Sequence, residues 1–317
     1  MADNVVLDEG AGGDTIAADD ILGIKHQRVK LQYGIDGQAT DISATWPIPV
    51  LIYSEDGAAL RSVVDTRPII DYNMQVSAGN IVGVSGINRF GNNRDIDTSS
   101  TPEDIWEGGG VYTGHPTGVA ETAEISSDNS NDDASVTGTG ARTVQIDGLN
   151  EDWMVQNETV SLSGTGWAPT TNSWHRINKI QVLTAGSGGE NAGILTTRHT
   201  STTGNIFTAM PVGVNETLIG AYTTPSGKTG YIQQLHAAVS LSGGGDCSAR
   251  LSVRARESGA VYRALTYQQV TNNNDLNLQF QPPISIPEKT DIKVRCENVS
   301  NNNTSISAMF DIILIDN

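Results

Sequence analysis

The chain has 317 residues and a formal net charge of −17, although only 17% of its residues are charged. Its polarity therefore comes mainly from Asn, Ser, Thr and Gly, which suit short strands and turns better than helices. A charge of this sign repels phosphate backbones, and no cluster of Lys and Arg offsets it, so nucleic acid is not an expected partner. The length allows one large core or two to three modest ones.

The N-terminal segment up to about residue 25 is small, acidic and Gly-rich, and we expect it to be ordered only by a neighbouring subunit. Its opening, MADNVVLDEGAGGDT, has neither a basic start nor a long apolar run, and no stretch of 18 apolar residues occurs in the chain. The sequence therefore predicts synthesis in a cytoplasm without membrane insertion. From Val29 to Ile35 apolar and polar residues alternate, which predicts a half-buried strand.

The stretch STPEDIWEGGGVYTG, residues 100–114, combines a helix start with a lone tryptophan and three glycines. Thr101 is a good N-cap and Pro102 suits the first helical position, so we predict a helical turn of about six residues that Gly108 ends. The segment then is either a ligand-binding loop around Trp106 or a hinge between two parts of the chain. We favour the hinge and assign to it Thr101, Pro102, Trp106, Gly108, Gly109 and Gly110.

Alternating segments recur through the middle of the chain, as in TVQIDGL, ETVSLSG and NKIQVLT. In YIQQLHAAVSL the same period places five residues on the buried face and His236 on the polar face. The predicted buried residues are Tyr231, Gln233, Leu235, Ala237 and Val239.

The last third has the clearest strand pattern. CSARLSVRARESGAVYRALTY places Cys247, Leu251 and Val253 on one face, and ESG marks a hairpin turn. About eight short strands in a hundred residues predict an antiparallel β-sandwich with jelly-roll or Greek-key connections. Both cysteines, Cys247 and Cys296, fall on the apolar phase of their strands, so we expect two reduced core thiols; a single disulfide is the alternative.

These patterns predict an all-β protein in three parts. Residues 1–100 form an extended arm and a first β-region, residues 101–215 a middle β-sandwich, and residues 216–317 a C-terminal jelly-roll-like β-sandwich. No convincing helix is longer than about two turns.

Residues that could carry chemistry do not form a recognisable motif. The five histidines, His26, His115, His175, His199 and His236, are never three or four residues apart, and neither HExxH nor GxSxG occurs. We therefore predict a non-enzymatic protein without a cofactor, in which each histidine is a surface or hydrogen-bonded residue.

Two weaker ligand hypotheses remain from the composition. The run SSDNSNDDAS offers Asp128, Asp132 and Asp133 as calcium ligands, but it lacks the central glycine and distal glutamate of an EF-hand, so a solvated hairpin loop is favoured. The aromatic residues of the middle region, Trp153, Trp167 and Trp174, could stack on a sugar, although core and loop anchors are the favoured interpretation.

Two segments resemble structural proteins of tailed bacteriophages. GGDTIAADDILGIKHQRVKLQYGIDGQATDIS (residues 12–43) resembles an N-terminal segment of such proteins, particularly marine ones. Residues 126–164, SSDNSNDDASVTGTGARTVQIDGLNEDWMVQNETVSLSG, followed by INKIQVLTAGSGGENAGILT (residues 177–196), look like a recurrent phage virion β-domain. The resemblance covers a third to a half of the chain, carries no catalytic residues and implies a virion component.

The resemblance leads us to expect a head-decoration or head-fibre protein that stabilises or displays the particle surface. We expect a symmetric oligomer, most simply a homotrimer, bound to the major capsid protein or another virion protein. The alternatives are a tail-associated fibre, spike, adaptor or tube protein, and a receptor- or carbohydrate-binding module for a host-surface glycan. For attachment we nominate the apolar residues of the arm: Ile16, Ile21, Leu22, Ile24 and Leu31.

Overall fold

The computed structural model describes residues 71–135, 137–272 and 275–317, together with the backbone of seven short strands within residues 1–70. Contacts divide the chain into two units, Met1–Ile69 and Ile70–Asn317. Among the described residues, strands dominate both units and pair antiparallel throughout, which confirms the predicted all-β fold class.

In the first unit, the backbone forms small antiparallel pairs: β1 with β2, β2 with β3, β4 with β5 and β6 with β7. Their bounds are β1 (Asn4–Val6), β2 (Thr15–Ile21), β3 (Ile24–Gln27), β4 (Gln32–Tyr33), β5 (Thr40–Asp41), β6 (Leu51–Tyr53) and β7 (Ala59–Arg61). Of the nominated attachment residues, Ile16 and Ile21 lie on β2 and Ile24 lies on β3. Leu22 and Leu31 lie outside the described residues, as does most of the strand predicted from Val29.

The second unit begins with a short helix, α1 (Tyr72–Ser77), whose N-cap Asp71 accepts a hydrogen bond from the Asn73 backbone N–H at 2.8 Å. In the part of the chain that the structure describes, no helix is long and apolar enough to cross a membrane. The strands follow as β8 (Val84–Ile96), β9 (Glu103–Asp104), β10 (Glu121–Ser127), β11 (Ala141–Leu149), β12 (Val155–Ser161), β13 (Ala168–Trp174), β14 (Arg176–Ala185), β15 (Leu195–His199), β16 (Ile206–Met210), β17 (Ala221–Thr223), β18 (Lys228–Leu241), β19 (Ser248–Glu257), β20 (Arg263–Thr271), β21 (Leu276–Ile286), β22 (Thr290–Val299) and β23 (Thr304–Asp316).

The middle sandwich pairs a four-stranded sheet, ordered β13-β10-β15-β16, with a three-stranded sheet, ordered β12-β11-β14. The predicted alternation holds here, because Val144 and Ile146 of β11 and Ile180 of β14 are fully buried between the sheets. Trp174, at the end of β13, is also fully buried and is the largest side chain of this core.

The C-terminal sandwich packs the sheet β17-β22-β19-β20 against the sheet β21-β18-β23-β8. Neighbouring strands are mostly not consecutive in sequence, as jelly-roll and Greek-key connections require. Leu251 and Val253 face the core as predicted. Cys247 and Cys296 are free thiols buried in the same core, which confirms the prediction of reduced cysteines.

The strand β8 lies before the predicted boundary at residue 100, yet it pairs along its length with β23 at the end of the chain. β9 likewise pairs with β22. The C-terminal sandwich therefore takes two strands from the first 104 residues, and the middle sandwich is inserted between them and β17. Local alternation could not show this, because it identifies a strand but not its partner.

The helical turn predicted after Thr101 is wrong. Glu103 and Asp104 form the extended strand β9 instead. The Glu103 carboxylate accepts hydrogen bonds from Asn93 Nδ2 at 2.9 Å and from the Gly110 backbone N–H at 2.8 Å. Asp104 accepts from Lys293 Nζ at 2.7 Å. These long-range contacts of the extended chain outweigh the local helix signals, which are worth about 1 kcal/mol each.

The predicted buried phase of β18 is correct only in its second half. Leu235, Ala237 and Val239 are buried, but in the first half Ile232 is buried and Tyr231 points outward. The register of β18 shifts between Ile232 and Gln234 against both of its neighbours. A bulge of this kind inserts one residue and exchanges the two faces of the strand.

Gly91 of β8 provides a sharp test of how closely the chain packs where β8, β9 and β17 meet. A Cβ atom at Gly91 would lie 2.2 Å from the Gly220 backbone N and 2.3 Å from the Ile105 backbone O. We expect Gly91→Ala to lower the free energy of unfolding by about 1–3 kcal/mol or more, because backbone atoms cannot move aside as flexible side chains do. Gly118→Ala is the matched control, since no atom lies within 4 Å of its added Cβ. Equal melting temperatures of the two variants would contradict the described packing.

Candidate functional site

The two sandwiches of the second unit meet at a buried group of polar side chains, which we call the joint cluster. The middle sandwich contributes Arg176 from β14, and the connection after β9 contributes His115. The C-terminal sandwich contributes the remainder, and the full set is Asp104, His115, Arg176, Thr223, Arg256, Tyr262, Asp291 and Lys293.

Asp291 lies at the centre of the joint cluster, with its side chain 1% exposed. Arg176 donates from Nε to Oδ1 at 2.7 Å and from Nη2 to Oδ2 at 3.0 Å, a bidentate pair between the two sandwiches. Arg256 donates to Oδ2 from Nε at 3.1 Å and from Nη2 at 2.5 Å, and the Thr223 hydroxyl donates to Oδ1 at 2.8 Å. Burial alone would raise the pKa of Asp291, but the surrounding cations and hydrogen bonds hold it well below its usual range.

His115 is buried and neutral. Burial lowers its pKa to about 3; the carboxylate of Asp291 opposes this shift, and the nearby cations reinforce it. Its Nδ1 lies 2.8 Å from the Tyr262 hydroxyl and its Nε2 lies 3.4 Å from the Thr223 hydroxyl. Because the Thr223 hydroxyl already donates to Asp291, we assign the Nε2–H tautomer, in which Nδ1 accepts from Tyr262.

Lys293 forms a second buried ion pair, with Nζ 2.7 Å from Asp104 Oδ2. Burial lowers the pKa of Lys293, and the carboxylate of Asp104 opposes that shift. Both Lys293 Nζ and the Arg256 guanidinium lie 4.5 Å from the centre of the Tyr262 ring. Tyr262 therefore makes cation–π contacts with two cations. The ion pairs of the joint cluster therefore compensate its charges, although Asp104 Oδ1 is buried without a hydrogen-bond partner.

Beside the joint cluster lies a small apolar core, the joint core, built around Trp106. The ring of Trp106 packs edge-on against Tyr112, with ring centroids 5.2 Å apart, and its Nε1 donates to the Gly110 backbone O at 3.2 Å. The same core includes Ile219 and Ala221 and borders on β16 of the middle sandwich. Trp106 thus packs where the two sandwiches meet, and its side chain is 5% exposed rather than presented as a ligand platform.

The other residues of the predicted hinge lie on either side of Trp106 in the sequence and differ in what they contact. A Cβ atom at Gly108 would lie 2.3 Å from the Trp106 ring, so only glycine fits beneath the indole. Gly109 and Gly110 adopt φ of 69° and 66°, the left-handed region that favours glycine. Thr101 and Pro102 precede β9, and the Thr101 hydroxyl donates to the Thr98 backbone O at 3.3 Å.

Glu107 adds a titratable group beside Trp106. Its Oε1 accepts from the Ala209 backbone N–H of β16 at 3.2 Å, whereas Oε2 is buried without a hydrogen-bond partner. Burial raises the pKa of Glu107 to about 7, because nothing nearby stabilises the carboxylate enough to offset the loss of water.

The three tryptophans of the sugar-stacking hypothesis do not form a platform. Trp174 is fully buried, and Trp153 is 8% exposed and packs against His175 with ring centroids 4.1 Å apart. Trp167 is 38% exposed, but the Arg198 guanidinium lies over its ring, 3.7 Å from the centroid. The favoured interpretation, core and loop anchors, describes Trp153 and Trp174.

The carboxylates of the calcium hypothesis are used by the backbone. Asp132 is fully buried and accepts four hydrogen bonds, from the Ser127 hydroxyl and from three backbone N–H groups, at 2.6–2.8 Å. Asp128 accepts from the Ile194 N–H at 2.7 Å and Asp133 from the Ser135 N–H at 2.7 Å. Within the described ranges, no group of three or more His, Cys, Asp or Glu side chains is placed to hold a metal ion. The carboxylates of this run fasten a loop. Asp128 is exposed, as the predicted solvated hairpin loop requires, but the prediction is wrong for Asp132, which is fully buried because its carboxylate is used by surrounding donors.

Sequence reasoning missed the joint cluster. Arg256 alternates with the core residues of β19 and therefore lies on the outward face of the C-terminal sandwich, but the middle sandwich covers that face at Arg176. The available signal is in TDIKVRCENV, where Asp291 and Lys293 alternate with apolar residues. The same pattern is typical of a strand with one solvent-exposed face, so it indicates a buried cluster only when the covering sandwich is known.

Comparisons with known proteins add little to this geometry. No family model matches the chain, and no curated protein matches it. A solved structure of infectious bursal disease virus, Gt strain, is similar at 10% sequence identity over 74% of this chain and 73% of that chain, with a TM-score of 0.21. A TM-score at this level carries no conclusion about fold or function. The structure itself defines the class of protein: an all-β protein in which two β-sandwiches are joined.

The joint cluster predicts a large effect of removing its central charge. Asp291→Asn leaves Arg176 and Arg256 without a counter-charge inside the protein, and we expect it to lower the free energy of unfolding by about 3–5 kcal/mol. Glu216→Gln is the control, because Glu216 pairs with Lys179 at a similar 2.8 Å but is 51% exposed, so its loss should cost at most about 1 kcal/mol. Denaturant titration measures both values. Similar costs for the two variants would show that the joint cluster does not stabilise the protein.

Glu107 predicts a pH dependence of stability. Its pKa of about 7 exceeds the ordinary 4.5, so the folded protein binds more protons than the unfolded chain between these values. The contribution of Glu107 to stability is therefore present below the ordinary pKa and is lost as the pH rises through about 7. We expect Glu107→Gln to be more stable than wild type at about pH 8 and equal to it near pH 4 in thermal melts. A constant difference across this range would refute the assignment.

Proposed function

We propose that the chain is a non-enzymatic structural protein of a bacteriophage virion, which decorates the capsid exterior or forms a short head fibre. The observation that carries the proposal is the joint: two sandwiches are fixed to each other by a buried, internally paired group of charges rather than by a flexible linker. A rigid pair of sandwiches suits a protein that projects from a particle, and the resemblance of residues 12–43 and 126–196 to phage virion segments supports the same class.

The state of the titratable groups also supports a structural function. The buried charges of the joint cluster face one another, and the carboxylate of Asp291 is saturated by two arginines and a hydroxyl. A catalytic carboxylate or histidine needs room for a substrate atom within hydrogen-bond distance. Asp291 and His115 offer none, because their partners are other side chains of the joint cluster.

Within the virion, we propose that the chain forms a homotrimer bound to the major capsid protein or to another virion protein. Closed symmetry suits repeated positions on a capsid, and the three-fold and quasi-three-fold sites of a capsid suit a trimer. The first unit, with Ile16, Ile21 and Ile24 on its strands, is the part that we propose for attachment. A location in the tail is the alternative that the following experiment distinguishes.

Cryo-electron microscopy of the phage particles that carry this chain tests the proposal. We expect density that fits the two joined sandwiches at three-fold or quasi-three-fold sites of the capsid. Density only at one vertex or along the tail would replace head decoration by the tail alternative. If mass spectrometry of purified particles detects the capsid protein but not this chain, the virion proposal is wrong.

A further inference from the structure

We propose that copies of this chain associate through the outward side of the sheet β21-β18-β23-β8, which we call the outer face. On each of these strands, residues that face the core alternate with residues that point outward, and the outward ones form the outer face. It extends across the four strands from the row in which Ile315 pairs with Val84 to the row in which Ser307 pairs with Asn92. The inference deepens the homotrimer proposed above by naming its contact surface, and it does not depend on where the protein lies on a particle.

Charge distinguishes the outer face from the rest of the molecule. Between the two limiting rows, its outward residues include one carboxylate, Asp311, and no Lys or Arg. The other sheet of the same sandwich, β17-β22-β19-β20, carries Arg250, Arg254, Arg295 and Glu297 on its outward side. Interface cores are depleted in charged residues, whereas ordinary solvent-exposed sheet faces are not.

The net charge of the chain makes this difference decisive for self-association. Two copies that each carry −17 repel each other, and like charges brought together at a contact cost several kcal/mol in affinity. Contact through the outer face brings only Asp311 from each copy into the interface. A surface with almost no charge also offers neither a cation to an acidic partner nor an acid to a basic one, so other copies of this chain are its matching partners. In a trimer, the outer faces of three copies meet around the three-fold axis, and each copy presents different parts of its outer face to its two neighbours.

The carboxylate of Asp311 already accepts hydrogen bonds from its neighbours on the outer face. Asn88 on β8 and Gln234 on β18 flank Asp311 on β23, and the side-chain amide of each donates a hydrogen bond to it. The carboxylate therefore keeps two hydrogen bonds when water leaves, which reduces the cost of covering it.

Apolar side chains that are at least partly exposed lie on either side of Asp311. Phe90 is 41% exposed on β8 and pairs directly with Met309, which in turn pairs with His236 on β18. These residues line a shallow cavity of about 390 Å³. Towards the other end, Ile313 lines a second groove of about 690 Å³ that α1 borders through Val76. Aromatic residues and methionine are enriched in interfaces, and contiguous exposed apolar surface marks a contact site.

Light scattering coupled to size exclusion tests the inference with a matched pair of variants. We expect the wild-type protein to be an oligomer, and Phe90→Asp to raise its dissociation constant by roughly 30-fold or more, because each contact then buries an added charge. Tyr267→Asp is the control: Tyr267 is 54% exposed on β20 of the opposite sheet, and its replacement should leave the oligomer intact. Thermal melts establish that both variants are folded.

A chemical-protection experiment gives an independent readout. Cys247 and Cys296 are buried, so a cysteine at Ser307→Cys on the outer face is the accessible thiol. We expect it to react slowly with a maleimide in the oligomer and quickly when Phe90→Asp is also present, whereas Gln269→Cys on β20 should react quickly in both backgrounds. A wild-type monomer at about 100 µM, or an oligomer unaffected by Phe90→Asp with Ser307→Cys fully reactive, would overturn the inference. Neither result would bear on whether the protein is part of a virion.

Discussion

The carboxylate of Asp291 is the contact on which the arrangement of the second unit depends. It is almost completely removed from water, and an isolated buried carboxylate would be too costly to remain ionised. Arg176 and Arg256 make ionisation favourable only if both guanidinium groups stay in place, and they come from different sandwiches. The relative orientation of the middle and C-terminal sandwiches is therefore fixed by the geometry that keeps both arginines paired with this one buried carboxylate. Apolar packing at Trp106 fills the adjoining space but has no comparable directional requirement.

The same requirement explains why the segment around Glu103 and Asp104 departs from its local preference. Its sequence begins like a helix, yet a helical turn would withdraw Asp104 from Lys293 and leave that buried cation unpaired. An unpaired buried cation costs more than the helix signals contribute, so the extended strand is the favoured conformation. Tertiary electrostatics thus selects the secondary structure here, and the glycines from Gly108 to Gly110 provide the conformations that let the chain leave β9.

The sequence was informative where one face of a strand meets one core. The alternation in β11, β14 and β19 identified buried residues correctly, because a period of two has a single physical cause there, the core between two sheets. It was wrong in the first half of β18, where a bulge exchanges the faces, since an inserted residue leaves no mark in composition. It also missed the joint cluster and the pairing of β8 with β23, because both depend on contacts between residues more than a hundred positions apart.

Buried ion pairs seldom increase stability relative to well-packed apolar residues, so the joint cluster needs another physical reason for its charges. An apolar contact between two sandwiches would tolerate sliding, whereas the bidentate pair of Arg176 with Asp291 has one favourable geometry. The outer face of the C-terminal sandwich includes a single carboxylate, Asp311, and the contact that we propose for it requires that the rest of the molecule be held in a defined position around it. In the assembly that we propose, directional charges within the joint and few charges on the outer face are complementary: the first fixes the shape of one copy, and the second lets copies of that shape approach each other.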